Sequence, residues 1–303
     1  MAVTTSSATP LVFASVPDQS RLRSVVSYCQ RNPQLVAGLL MIGALVLFWS
    51  LGSVLVDVKT ARPLSAQPEL EPSFKYPLGT DTAGRNILAA MIVGTPITLR
   101  IGLIAATIGM LIGIVLGFSA GYFGGLADTV IRGITDTILP IPALAVLVVI
   151  ASLLTKALTP DSMGLIVASL AWMSPTRTIR AQVLTMRERT YVEVARLCGL
   201  GGPEIVIREL VPNLLPYLGA SFVSAVGGSI LAAIGLEALG LGPQNEPTMG
   251  MTIFWANYNG AIIRGMWWWW GPPIFVIVFL FVGLFLISAG LDEVANPRLR
   301  TRA

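Results

Sequence analysis

The 303-residue chain contains no histidine, which removes the commonest general base, the usual nitrogen ligand for a metal and any histidine-based triad. None of its lysines follows a glycine, so the sequence has no phosphate-cradling Walker loop. Carboxylates facing each other inside apolar stretches, the mark of a proton relay or an ion-coupled carrier, are also absent from the pattern. No catalytic residue and no metal ligand is therefore assigned. What stands out is a polar passage between two apolar stretches, Arg187 to Pro212, reading RERTYVEVARLCGLGGPEIVIRELVP. Its chemistry is that of contact, not of bond making.

Within that passage Tyr191 to Cys198 has the residues of a short helix, and Gly199, Gly201 and Gly202 offer a turn. Pro203 and Glu204 suit the first turn of a second helix, which Pro212 is expected to stop before the next apolar run. One face of the first helix carries Val192, Ala195 and Cys198, flanked by Glu193 and Arg196. A small-residue centre with charged edges suits insertion into a groove on another protein. A re-entrant or interfacial loop without a partner accounts for the same periodicity, so the pattern alone leaves both readings open.

The elements that must position this passage are membrane spans. Hydrophobic residues make up 54% of the chain and charged ones 12%, and the mean hydropathy is +0.76, which excludes the soluble globular class. An all-α polytopic membrane protein is expected, because lipid offers no partner for an unpaired backbone group and about 20 apolar residues are needed to cross as a helix. Six stretches qualify: Leu35 to Val56, Ile97 to Phe123, Ile134 to Thr155, Met163 to Val183, Leu214 to Leu236 and Pro272 to Leu291. They divide the chain into an N-terminal segment 1–34, a transmembrane domain 35–291 with an external loop 57–96 and the polar loop 187–212, and a tail 292–303.

Cytoplasmic loops carry the excess of Lys and Arg. Arg21, Arg23, Arg31, Arg132, the arginines between Arg177 and Arg208, and Arg298, Arg300 and Arg302 fall on one side, and Lys59, Arg62, Lys75, Arg85, Lys156 and Arg264 on the other. That bias places both termini in the cytoplasm. It also accounts for the net charge of +4 without any nucleic-acid partner. No cleavable signal sequence is expected, nor a disulfide, since Cys29 and Cys198 both fall on the cytoplasmic side.

Along the second span Ala105, Gly109, Gly113, Gly117, Gly121 and Gly125 recur every fourth residue, a stripe that lets helix backbones approach closely. This helix is expected at the centre of its bundle, or at an interface with a second pore subunit. In Tyr76 to Leu99, Asp81 or Thr82 is expected to cap a short interfacial helix with Ile87, Leu88 and Met91 on its apolar face. Pro175 predicts a kink near Met173 in the fourth span, and Arg177 and Arg180 read as snorkelling anchors. Trp267 to Trp270 read as an interfacial aromatic belt. Trp172, Met173, Ser224 and Ser229, polar or bulky within the fourth and fifth spans, are the candidates for lining a substrate path.

Glu193, Ala195, Gly199 and Pro212 match the cytoplasmic EAA loop of permease subunits in bacterial and archaeal ABC importers, with Val194 and the Gly201-Gly202-Pro203 turn as departures. PLGTDTAGRNIL resembles the signature after the first span of dipeptide, oligopeptide and nickel permeases, with Asn86 where aspartate is usual. AGYFGGLADTVIRGITDTILPIPAL resembles that group's connection between second and third spans, ALGLG its FLGLG stretch, and Asn296-Pro297-Arg298 its closing Asp-Pro-Arg. The chain is thereby identified as a member of this group, of the C type, the second of two pore subunits.

The resemblance implies a type I ABC importer permease fold in the cytoplasmic membrane of a bacterium or archaeon. It implies a homologous permease, two ATPase subunits and an extracytoplasmic substrate-binding protein as partners, beside the membrane lipid. It implies ATPase coupling through Glu193, Ala195, Arg196, Gly199, Leu200 and Gly201, with ATP and Mg bound by the partner ATPases and no cofactor on this chain. Peptides are the expected cargo, oligosaccharides or nickel chelates the alternatives. An ion-coupled secondary carrier, or a membrane scaffold whose loop binds a cytosolic partner, are the readings from other classes.

Overall fold

The computed structural model describes residues 32–154 and 157–295. The N-terminal segment up to residue 31 with Cys29, Lys156, and the closing Asn296, Pro297 and Arg298 lie outside them. Every regular element among the described residues is helical, and strand-like pairing there is limited to a bridge between Thr80 and Asn86.

Among the described residues four helices are long and apolar enough to cross a membrane: α1 (Pro33–Leu55), α2 (Ile87–Phe118, running on through a π turn at Ser119–Phe123), the continuous Gly202–Ala238, and α11 (Trp267–Ala295). The expected third span is instead two helices, α3 (Gly125–Ile138) and α4 (Ala143–Ser152), bent by 86°. Pro140 and Pro142 in the connecting Leu-Pro-Ile-Pro lack the N–H groups that would carry one helix through. The expected fourth span is α5 (Pro160–Ala171) followed by α6 (Met173–Met186), broken at Trp172. Pro175 cannot donate to the Ala171 carbonyl, and the chain restarts with Thr176 N–H and Oγ1 both donating to Trp172 O, at 3.0 and 2.7 Å.

The polar passage contributes α7 (Thr190–Leu197) and α8 (Gly202–Ile205). A π turn at Val206–Leu210 joins α8 to α9 (Val211–Ala238) without interruption. Pro212 therefore does not end the second helix as expected. It lies inside the continuous helix, just past a π turn that closes with Val211 N–H on Val206 O, where the i−4 ladder that a proline would break is already interrupted. On the opposite side lies α10 (Met249–Tyr258), between α9 and α11.

α2 is central, touching α1, α5, α6, α9, α10 and α11. Its glycines explain how. A Cβ added at Gly109, Gly113, Gly117 or Gly121 would lie 2.7, 2.7, 2.9 and 2.8 Å from the Cβ of Ala171, Pro175, Ile179 and Val183 in turn. Two four-residue rows thus run along each other down α2 and α5–α6, as small-residue packing in lipid requires. Gly125 leaves the stripe, since the helix has already ended.

The short interfacial helix expected from Asp81 is absent. Asp81 sits in the loop, its Oδ1 accepting from Ala83 N and Arg85 N at 2.9 and 2.8 Å, and Asn86 caps α2 itself through Leu88 N at 3.1 Å. The Ile87, Leu88 and Met91 turn is the first of the span, so the loop before it is shorter than the expected 57–96. The tryptophan belt also turns inward. Trp267 is 56% exposed, whereas Trp268 and Trp269 are buried, Trp268 lying against Gly79 with its Nε1 3.4 Å from Thr80 O.

Candidate functional site

α7 begins after Arg189, with Glu193 in its first turn and Arg196 in its last, each charge suited to its end of the helix. Its end is a complete Schellman motif: Leu200 N–H reaches Ala195 O at 3.2 Å and Gly199 N–H reaches Arg196 O at 3.0 Å. Gly199 has φ +86°, in the left-handed region, and a Cβ there would meet no atom within 4 Å. Backbone conformation, not crowding, is what requires glycine at this position.

The face that the sequence offered to a partner is the one that holds α7 to its own chain. Val192 and Ala195 are buried in a cluster with Phe118, Ile179, Val183, Ile205, Leu210 and Leu214, and Leu200 packs at its edge. Periodicity grouped Val192 with Ala195 correctly, but Cys198 stays exposed. The outward face is Glu193, Val194, Arg196 and Leu197, with Leu197 82% exposed. Gly199 and Gly201 are exposed beside it. Burial pushes the Tyr191 phenol up, Glu209 adding to the shift and Arg189 opposing it.

Three contacts fasten this unit to the ends of the spans. Arg196 lies over the Tyr122 ring, 5.6 Å from its centroid. Gly202 lies against Tyr122 and Phe123, with 3.2 Å to each ring from an added Cβ. Arg187 Nη1 donates to Gly121 O at 3.0 Å.

An open groove of about 480 Å³ runs along α9, walled by α4, α5 and α6. Ser224 and Ser229 line it. Trp172 and Met173 do not: Met173 is buried, and the Trp172 indole donates to Ser169 O at 2.9 Å. Ser174, Thr178, Tyr217, Ser221 and Asp292 line the groove as well, and were not singled out from sequence. The signal was present on α9, where Tyr217, Ser221, Ser224 and Gly228 share one face. Among the described residues Asp292 is the one charged group lining the groove.

Residues 113–301, more than half of the chain, match the family described as the binding-protein-dependent transport system inner membrane component. The chain belongs to that family. Among individual members it is similar to the dipeptide transport system permease protein DppC of Bacillus subtilis (strain 168), at 28% identity over 89% of this chain and 84% of the relative. With the DppC of Haemophilus influenzae it shares 28% identity over 96% and 99% of the two chains. With the oligopeptide transport system permease protein OppC of Lactococcus lactis subsp. cremoris it shares 30% over 74% and 76%.

Proposed function

We propose that this chain is one of two pore-forming permease subunits of an importer that carries short peptides, driven by separate ATPase subunits and fed by an extracytoplasmic binding protein. The observation that carries the reading is α7, an eight-residue helix rooted by Val192 and Ala195 and presenting Glu193, Val194, Arg196 and Leu197 outward. A rooted helix with a free mixed face transmits force from a docked partner, where a free flap would fold away. The partner ATPases hold ATP and Mg, and this chain does no covalent chemistry. Both termini and α7 lie on the cytoplasmic side.

Nucleotide shifts the equilibrium between inward-open and outward-open arrangements only by binding them unequally, and α7 is where that difference reaches the spans. Peptide cargo is supported by the names of the DppC and OppC relatives. Gly199→Pro, which cannot take a φ of +86°, and Glu193→Lys are expected to abolish ATP-driven uptake while the bundle still assembles. Normal transport by purified complexes carrying either change would refute the coupling assignment. Cargo is tested separately, by binding of peptide and oligosaccharide panels to the cognate extracytoplasmic protein.

A further inference from the structure

α2 passes into α3 through Gly124 and Gly125, both in the left-handed region at φ +68° and +60°, where glycine turns without steric cost. Nothing crowds this junction: a Cβ at Gly125 would meet no atom within 4 Å, and one at Gly124 would meet Arg187 Nη1 at 3.9 Å. Beyond this swivel α3 has one buried residue, Thr135, while Leu126, Val130 and Ile134 are exposed. Packing within the described chain therefore does little to fix how α3 sits.

An ion pair does more. Asp128 of α3 meets Arg180 of α6 through two hydrogen bonds, Nε to Oδ1 and Nη2 to Oδ2, the second at 2.7 Å. The side chains are 24% and 21% exposed, so water screens the pair less than it screens a surface pair. A two-point grip between guanidinium and carboxylate fixes orientation as well as distance. Arg180 lies on the helix that leads through Arg187 into α7, and Asp128 on the helix that leads through the Pro140–Pro142 corner into α4. Leu139, Ala143 and Leu147 of that arm line the groove.

We propose that Asp128 and Arg180 are positioning residues forming the joint through which movement of α7 and α6 turns α3 and α4, and so reshapes the groove. The proposal rests on the reading of α7 as the ATPase contact. Without the joint, α6 moves with α7 while α3 stays behind on its glycine swivel.

The test uses the complete transporter with its binding protein in proteoliposomes, with ATP hydrolysis and peptide uptake measured together. In Asp128→Asn and Arg180→Gln, assembly and hydrolysis persist and uptake per ATP falls about tenfold, a size ordinary for coupling between sites. The double variant falls no further than either single one, because one joint is broken in all three. Arg180→Lys keeps the charge but not the two-point grip, and is expected to lose about threefold in the same ratio. Asp128→Cys combined with Arg180→Cys loses coupling, and a short bismaleimide bridge restores it, with the wild-type complex treated alike as control for Cys29 and Cys198. Unchanged uptake per ATP in the assembled Arg180→Lys complex, or arrest of uptake on bridging, overturns the joint. A wild-type complex that hydrolyses ATP without importing peptide would overturn the transport reading instead, before any variant is compared.

Discussion

Glycine does two different jobs in this molecule, and substitution separates them. At Gly113 the neighbour is the Pro175 Cβ, 2.7 Å from where a new Cβ would stand. Gly113→Ala must push α2 and α6 apart, at a cost of about 1–3 kcal/mol, seen as a lower temperature for loss of the assembled complex in detergent. Gly43, with nothing within 4 Å, is the control, and Gly43→Ala leaves that temperature unchanged. At Gly199 the space is open and the φ is the constraint, so Gly199→Ala costs about 1–2 kcal/mol in local helix-end stability. That cost appears as faster amide exchange in α7, while the bundle keeps its melting temperature. The four-residue spacing of the stripe was legible in sequence because packed helices impose it. Which face of α7 turns inward was not, since periodicity says which residues share a face and leaves open which face meets protein. Trp172 and Met173 misled for a related reason: bulk within a span marks a residue for packing as readily as for lining a route.

At the scale of elements, α1, α2, α9 and α11 were readable as long apolar runs. The pair α3–α4 was read as a whole span because hydropathy averages over Pro140 and Pro142, whose effect is on backbone hydrogen bonds, whereas α5–α6 breaks at Trp172, beside the kink that Pro175 predicts near Met173. The start of α2 was missed by ten residues, since Asn86 caps as well as Asp81 does. The loop before it is tied to the loop between α10 and α11 by an ion pair of Glu69 with Arg264. The hydrogen bond from Arg264, with its charge, lowers the Glu69 carboxyl below its ordinary value. A lowered acid stabilises the fold while ionised, so this tie is present above the carboxylate's ordinary range and is lost as the pH falls through the lowered value. The protection of residues 62–86 against hydrogen exchange in nanodiscs, taken relative to the intrinsic amide rate at each pH, is expected to fall over that acid range and at high salt. Glu69→Gln should abolish both dependences, and an unaltered acid response in that variant would dismiss the pair as their cause.

For the whole molecule, the fold places a mainly apolar groove with a few hydroxyls beside a bundle whose α4 flank and α3 face are unpacked. In the proposed importer those surfaces meet a homologous permease. Affinity purification of the tagged chain from its native membrane is expected to recover a second permease of the same family and ATPase subunits carrying Walker motifs. A single-component complex that still moves peptide down an ion gradient would point to a secondary carrier instead. The membrane-spanning class was the most legible, because long apolar runs state it directly. The groove was the least legible, because its lining comes from five helices whose approach depends on glycine packing and on two broken spans.

Five of the seven tryptophans, Trp255 and Trp267 to Trp270, belong to α10 and the start of α11. Trp268 and Trp269 are buried there, in one cluster with Trp255 and Trp270 packed at its edge. Ultraviolet emission from the unlabelled protein is therefore dominated by one end of the molecule, the end opposite α7. In a complex whose partner subunits have had their tryptophans replaced, a shift in its colour or quenching on adding nucleotide would be an optical signature of motion delivered from α7 to the far end of this chain, with no dye attached.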